Sequence, residues 1–280
     1  MPLPADAASA LKNLMDESTT KNTKNEKTAL FISPHLDDVI FSCGGTLAKM
    51  RGEGWRTILC TVFTKSVANP QGFALACHLD KNLAPEADYM KLRRSEDCRA
   101  AKILDVSEIL HLNFPEAPHR GYHSAPELFD DLKPHDEIWK SVAEHFELLD
   151  DIHQPAVVFA PQGIGNHCDH RQTIDAALEV FAEEKIKWYY DTPYIIRQPD
   201  AKNYHRLPSN MRPLRVGITE FLNDKIEACA QYATQINFQF GGRAELFEML
   251  GNFHLDAGSK NIFVEKFLSL SPDNQNLSAR

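Results

Sequence analysis

The chain has 280 residues, 43% hydrophobic and 25% charged, with a formal net charge of −9. That length and composition exclude wholesale disorder and a small scaffold needing disulfides or a metal to fold. The acidic balance argues against nucleic acid as a partner, because an acidic surface repels phosphate backbones.

Residues 1–27 read as a polar, flexible leader, with a short helix around Ala7–Met15 at most. Residues 28–270 read as a single α/β domain and 271–280 as a flexible tail. Ala29–Ile32 is a short apolar run followed by Ser33-Pro34, a strand with a sharp exit. Val39, Cys43, Leu47 and Met50 then recur at helical spacing. Thr57–Phe63 is a β-branched and apolar second strand, and Met90–Leu104 a helix. Glu108–Leu112 is a third strand, Asp136–Ile152 a helix, Ala156–Ala160 a fourth strand, His170–Lys185 a helix and Lys187–Tyr190 a fifth strand. Beyond Asp191 the pattern loosens, with helices over Thr219–Ala233 and Arg243–Phe253 and a last strand over Asn261–Phe267. Alternating strands and helices, with strand runs almost entirely apolar, predict a Rossmann-like, mostly parallel sheet flanked by helices. Ligands of such sheets sit outside the carboxyl ends of the strands. The loops after Ile32, Phe63, Leu112, Ala160 and Tyr190 are therefore the ones to inspect.

No stretch reaches the ~18 apolar residues of a membrane helix. The six cysteines, Cys43, Cys60, Cys77, Cys98, Cys168 and Cys229, form no CxxC, so neither a disulfide framework nor a cysteine zinc site is expected. The protein reads as soluble and cytoplasmic, with no integral membrane segment. Its oligomeric state is open.

Two strand-end loops carry chemistry. The first reads Ser33-Pro34-His35-Leu36-Asp37-Asp38. His35 and Asp38, three apart, fall on one side of a helical turn, and Asp37 projects at another angle. Taken alone, helix capping explains such an acidic pair equally well. The second reads Gly163-Ile164-Gly165-Asn166-His167-Cys168-Asp169-His170, two histidines and an acid behind a glycine-rich turn. Together the loops predict a metal site assembled from separate strand ends. Gly44-Gly45 lies inside a helix and reads as close helix packing on the sheet rather than a dinucleotide fingerprint. The aromatic group Trp188, Tyr189, Tyr190 and Tyr194 serves either a sugar platform or the core, and His111, within a strand, reads as structural.

PHLDD followed by CGGTLA, and later GNHCDH, resembles the LmbE/PIG-L family of metal-dependent sugar N-deacetylases. The resemblance extends from about Ala29 to Tyr190, through Arg93-Arg94-Ser95-Glu96 and LNFPE at 112–116. It implies a Rossmann-like fold and removal of an acetyl group from an amino-sugar substrate, a small molecule or a glycan. By position it implies that His35, Asp38 and His170 bind one Zn2+ per chain, with Fe2+ as the alternative ion in the cell. It implies that Asp37 is the general base, and that His167 stabilises the transition state as an imidazolium oriented by Asp169. Arg93 and Glu116 match positions that contact substrate, and Arg120, in the loop after the third strand, is placed with them at the pocket entrance. Leu36 stands where the family has Pro, and Val39 where it has Glu; neither change removes a ligand. Two histidines and a carboxylate also describe a non-haem iron oxygenase, and a non-catalytic metal- or sugar-binding relative is the third reading. The extra Asp37 favours hydrolysis over both.

Overall fold

The computed structural model describes residues 26–270; the expected helix at Ala7–Met15 and the tail from 271 lie outside the described residues. Strands β1 (Thr28–Ser33), β2 (Arg56–Thr61), β3 (Glu108–His111), β4 (Val157–Pro161), β5 (Ile186–Tyr189), β6 (Arg212–Gly217) and β7 (Val264–Ser269) form one sheet in the order β3-β2-β1-β4-β5-β7-β6. The first five are parallel, with Leu30 of β1 level with Ile58 of β2 and Val158 of β4. β7 runs antiparallel to both β5 and β6. The expected mostly parallel α/β architecture is therefore present.

Why the strand runs are nearly all apolar is visible in β1, whose six residues are all buried. Ala29 and Phe31 enter one core with Leu47, Phe159, Ala100 and Ile226. Leu30 and Ile32 enter the other with Ile58, Val142, Phe146 and Ile174. The first core is supplied by helices α1 (Asp38–Gly52), α3 (Tyr89–Ile103) and α8 (Leu222–Cys229), the second by α5 (Ile138–His153) and α6 (Cys168–Val180). Strand order turns at β1, which has β2 on one side and β4 on the other, so the loops leaving β1 and β4 emerge next to each other. That is the crevice in which open α/β sheets hold ligands.

The sequence reading departs from the structure in several elements. Helices α2 (Gly72–Leu79), α4 (Ala125–Phe129) and α9 (Ala233–Phe240) and strand β6 were not expected. The helix expected over Thr219–Ala233 is a 3₁₀ turn at Thr219–Phe221 followed by α8, which ends at Cys229. The helix expected over His170–Lys185 begins at Cys168 and ends at Val180, with a 3₁₀ turn at Glu183–Lys185 before β5. α7 (Tyr194–Arg197) is a single turn, and α10 (Arg243–His254) matches the expected helix.

α1 is broken at Cys43, whose φ/ψ of −140°/26° is not helical. The break exposes new helix-start amides, and both are used: Gly45 and Thr46 donate to Glu265 of β7 at 2.9 and 2.6 Å. Glu265 also accepts from Lys225 of α8 at 2.6 Å, and the same ammonium donates to His254 Nε2 at 2.8 Å. Lys225 and Glu265 are fully buried. Burial and the adjacent Lys225 charge hold the His254 ring well below its ordinary pKa, so it accepts as a neutral imidazole. Gly45 sits where a Cβ would lie 2.9 Å from Ile218, in the segment after β6. The close packing expected at Gly44-Gly45 is at Gly45 against that segment, while Gly44 faces Leu104 and Lys225. All six cysteines are free thiols, four of them buried, and no described helix is long and apolar enough to cross a membrane.

Candidate metal centre and active site

Where β1 ends, Ser33 clips the turn: its hydroxyl donates to the His35 carbonyl at 2.6 Å and accepts the Val39 amide at 3.1 Å. The His35 amide donates to Asp38 Oδ2 at 2.8 Å. Asp37, at the N-cap of α1, makes no side-chain capping bond, so capping does not account for it. Its φ of 157° with ψ −32° is a conformation L-residues rarely adopt, and such strain persists only where the surroundings over-determine it. Leu36 turns away into a small cluster with Tyr89 and Met90.

The loop after β4 turns sharply through Gly163, Gly165 and Asn166, all at positive φ. At Gly165 a Cβ would lie 2.6 Å from the Tyr194 ring. The turn delivers His167 to the N-cap of α6 and His170 to its first turn. The two loops then meet at one carboxylate oxygen: Asp38 Oδ2 is 3.4 Å from His35 Nδ1 and 3.2 Å from His170 Nε2. The ligand atoms of His35, Asp38 and His170 all lie within 4.8 Å of one another, as do those of His35, His167 and Asp169.

Each of the two ligand-set histidines is held from behind by a second carboxylate. His35 Nε2 donates to Asp169 at 2.9 Å, and His170 Nδ1 to Asp191 at 2.6 Å. This fixes which nitrogen faces the cluster, the arrangement usual around metal-binding imidazoles. His170 Nε2, fully buried, has no hydrogen-bond partner. An orphaned imidazole nitrogen beside a carboxylate oxygen and a second imidazole fits a borderline-soft divalent cation. Without a cation the cluster stores charge. Burial opposes it, yet Asp169 and Asp38 hold His35 up at about 9, and His170 likewise holds Asp38 well below the usual carboxylate range.

Asp169 does not orient His167 as expected. Its carboxylate goes to His35, to the Ala117 amide at 3.2 Å and to Arg120 Nη2 at 2.7 Å. Only its backbone N–H reaches His167, donating to Nδ1 at 3.2 Å. The two side chains stay within 4.8 Å at their ligand atoms, but no hydrogen bond joins them. With Nδ1 accepting an amide, the ring carries its proton on Nε2. Burial and the His35 charge pull His167 well below its ordinary pKa. That direction runs against the imidazolium expected from the sequence.

Arg93, buried, joins Asp37 to Glu116: Nη2 is 3.6 Å from Asp37 and Nη1 donates to Glu116 at 2.6 Å. Burial pushes the Asp37 carboxyl up, and Arg93 opposes that push. Arg120, expected at the pocket entrance, is instead 8% exposed at the side chain. Each of its three nitrogens has a protein partner, in Asp136, the Pro115 carbonyl and Asp169. It acts on Asp169. Trp188 and Tyr189 are fully buried core residues. Tyr194 stands edge-on to His170 at 5.6 Å, and Phe129 of α4 edge-on to His167 at 5.3 Å, so these two rings flank the histidines. His111 is structural, bonded to Asp97 at 2.8 Å.

Sequence reasoning missed Asp191, Asp136 and Phe129. For Asp191 a signal existed, since it lies two residues after β5, in one of the inspected loops. Phe129 ends the short helix α4, and Asp136 precedes α5, so neither belongs to a motif that would mark it.

A crevice between the β1 and β4 loops, two histidines and a carboxylate facing one another, and a second aspartate alongside make a candidate metal site on a Rossmann-like sheet. A family model described as PIG-L, GlcNAc-PI de-N-acetylase, matches residues 30–181, and the chain belongs to that family. The 2'-N-acetylparomamine deacetylase of Streptomyces fradiae is 29% identical over 226 residues, 78% of this chain and 77% of that protein. The protein of the same name from Niallia circulans is 26% identical over 242 residues, 79% of this chain and 86% of its own. Among solved structures, the zinc-inhibited form of teicoplanin deacetylase Orf2 superposes with a TM-score of 0.75 at 26% identity, covering 89% of this chain and all of that one. The A40926 pseudoaglycone deacetylase Dbv21 superposes with 0.74 at 28% identity, covering 88% and 97%.

Proposed function

We propose that this protein is a metal-dependent hydrolase that removes the acetyl group from an N-acetylated amino-sugar substrate. The observation that carries this reading is the meeting of His35 Nδ1 and His170 Nε2 on one Asp38 oxygen, with Asp37 beside it and uncommitted to capping. The deacetylase activity named for the relatives supports it.

In this reading His35, Asp38 and His170 hold one divalent ion, zinc by the chemistry of the donors, with iron as the alternative. Such an ion, when bound, supplies Lewis acidity, lowering the pKa of water and polarising a carbonyl. Asp37 takes the proton of the attacking water and returns it to the leaving amine, the step a poor leaving group requires. Burial pushes the Asp37 carboxyl up to about 8, and Arg93 opposes that push, favouring its ionised form. His167 donates its Nε2–H to the oxygen that gains charge in the tetrahedral transition state. Asp169 and Asp191 fix the ligand histidines, and Arg120 fixes Asp169. Phe129 and Tyr194 offer apolar faces for a sugar ring at the rim. Products are acetate and the free amino sugar.

The test is acetate release from a panel of N-acetylated amino sugars and their conjugates by zinc-loaded protein. Turnover of at least one, abolished by chelation and restored by zinc, is expected. Retention of full activity after metal removal overturns the reading.

A further inference from the structure

Two sets of ligands overlap at the metal centre. The ligand atoms of His35, Asp38 and His170 lie within 4.8 Å of one another, and so do those of His35, His167 and Asp169. All five side chains are buried, and two imidazoles with one carboxylate suit a divalent ion in either set. The sets share His35 and meet it at opposite nitrogens: Nδ1 is 3.4 Å from Asp38 Oδ2, and Nε2 is 2.9 Å from Asp169 Oδ2. A neutral imidazole carries one proton, so only one of these nitrogens offers a lone pair to a cation. The carboxylate that accepts the ring proton is kept as a hydrogen-bond partner, and the ion goes to the other set.

Arg120 breaks this near-symmetry. Its Nη2 lies 2.7 Å from Asp169 Oδ1, the oxygen that His35 does not use. Among the described residues the ion-pair partners of Asp38 are His35 and His170, and Arg93 reaches Asp37 instead. The Arg120 guanidinium is itself fixed. Nε and Nη2 donate to Asp136 at 3.0 and 2.9 Å, and Nη1 donates to the Pro115 carbonyl at 2.8 Å. The Phe63 and Tyr122 rings stand 4.9 and 5.9 Å from it, and the Tyr122 hydroxyl donates to Asp136 at 3.0 Å. A zinc ion on Asp169 would sit about 2.0–2.2 Å from its oxygen and face that positive charge across one carboxylate. Burial leaves little water to screen the two.

We infer that Arg120 is a positioning residue that selects between the two ligand sets. It holds Asp169 as the acceptor of the His35 Nε2 proton and opposes a cation there, so the ion takes His35, Asp38 and His170. The second set, His35, His167 and Asp169, is a latent metal site that opens when the guanidinium is lost. The inference rests on the ligand set of the reading above and adds what chooses that set.

The experiment measures Zn2+ binding by competition against a chelator, with no turnover required. Asp38→Ala breaks the first set, so its binding should be weak. Adding Arg120→Met, which keeps the stem and removes the charge, should tighten binding about tenfold or more through the second set, the scale of an outer-shell change. His167→Ala on top of both should cancel the gain. Arg120→Lys in place of Arg120→Met keeps a positive charge and should give a gain of about threefold or less on the same scale. Thermal unfolding reports whether each variant is folded. Where Arg120→Met is not, Arg120→Gln, whose amide can still donate to Asp136, takes its place with the same expected gain. No gain on removing the guanidinium, or a gain that His167→Ala leaves intact, overturns the inference while the ligand set stands. A wild type that binds no Zn2+ overturns both.

Discussion

Lys225→Met isolates the buried charge cluster that braces the broken helix α1. In the wild type Lys225 gives two hydrogen bonds, to Glu265 at 2.6 Å and to His254 at 2.8 Å, with no exposure to water. Methionine keeps most of the volume, so the loss is electrostatic. Glu265 is left as a buried carboxylate facing only the Gly45 and Thr46 amides, and His254 Nε2 loses its donor. Removing one partner of a buried pair costs about 3–5 kcal/mol. At roughly 2–4 °C per kcal/mol for a large domain, the midpoint should fall by about 6–20 °C. The double variant Lys225→Met/Glu265→Leu separates two explanations. Many buried ion pairs can be exchanged for apolar residues at little cost. Here the exchange also strips the acceptor from two buried helix-start amides, at about 1–3 kcal/mol each. The double variant should therefore stay at least about 2 kcal/mol below wild type. Both are measured by calorimetry or chemical denaturation of the metal-loaded protein. A double variant as stable as wild type would show that Glu265 does not support the helix break, and a Lys225→Met loss below about 1 kcal/mol that Lys225 does not hold the cluster.

Asp37→Asn should retain metal by elemental analysis while turnover falls about 10²–10⁴-fold, whereas Asp38→Ala and His170→Ala should lose metal; equal metal loss at both aspartates would make Asp37 a ligand. His167→Ala should keep metal and lower kcat by about 10²–10³ through loss of one donor to the oxyanion, and unchanged kcat would remove it from the mechanism. Asp191→Asn, which disturbs the partner of His170 Nδ1, should weaken metal binding about 10–100-fold, as outer-shell changes typically do, with competition against a chelator as the readout.

What could be read from the sequence divides along physical lines. Of the parallel strands, β1, β2, β4 and β5 are buried almost throughout, so their apolar runs stand out, as in Ala29–Ile32. Strand β6, RPLRVG, lies at the sheet edge with Arg212, Pro213 and Arg215 exposed. Its alternation is short, with Leu214 and Val216 inward and Pro213 and Arg215 exposed, and pairing with β7 makes it a strand. The candidate site followed the same division. His35, Asp37 and Asp38 are neighbours in sequence, as are His167, Asp169 and His170, so two short motifs announced them. The residues that orient them are tertiary partners: Asp191 meets His170 across 21 positions, and Arg120 meets Asp169 across 49. The direction of the Asp169 side chain depends on Arg120 and His35, and the motif alone pointed it at the wrong histidine.

The link between Glu265 and α1 also bears on the order in which the molecule can be finished. Glu265 contacts Gly45 across 220 positions of chain. During synthesis the His35–Asp38 turn and α1 leave the ribosome early, yet the carboxylate that steadies the break in that helix follows more than two hundred residues later. Until then two amides at the break have no carboxylate to accept them, and β5 has no β7 beside it. Contacts this distant carry a loop-closure cost before they return any stabilisation. The nascent chain would thus hold its first ligand-bearing turn in a loosened form, and the geometry around Asp38 would tighten only when β7 joins the sheet.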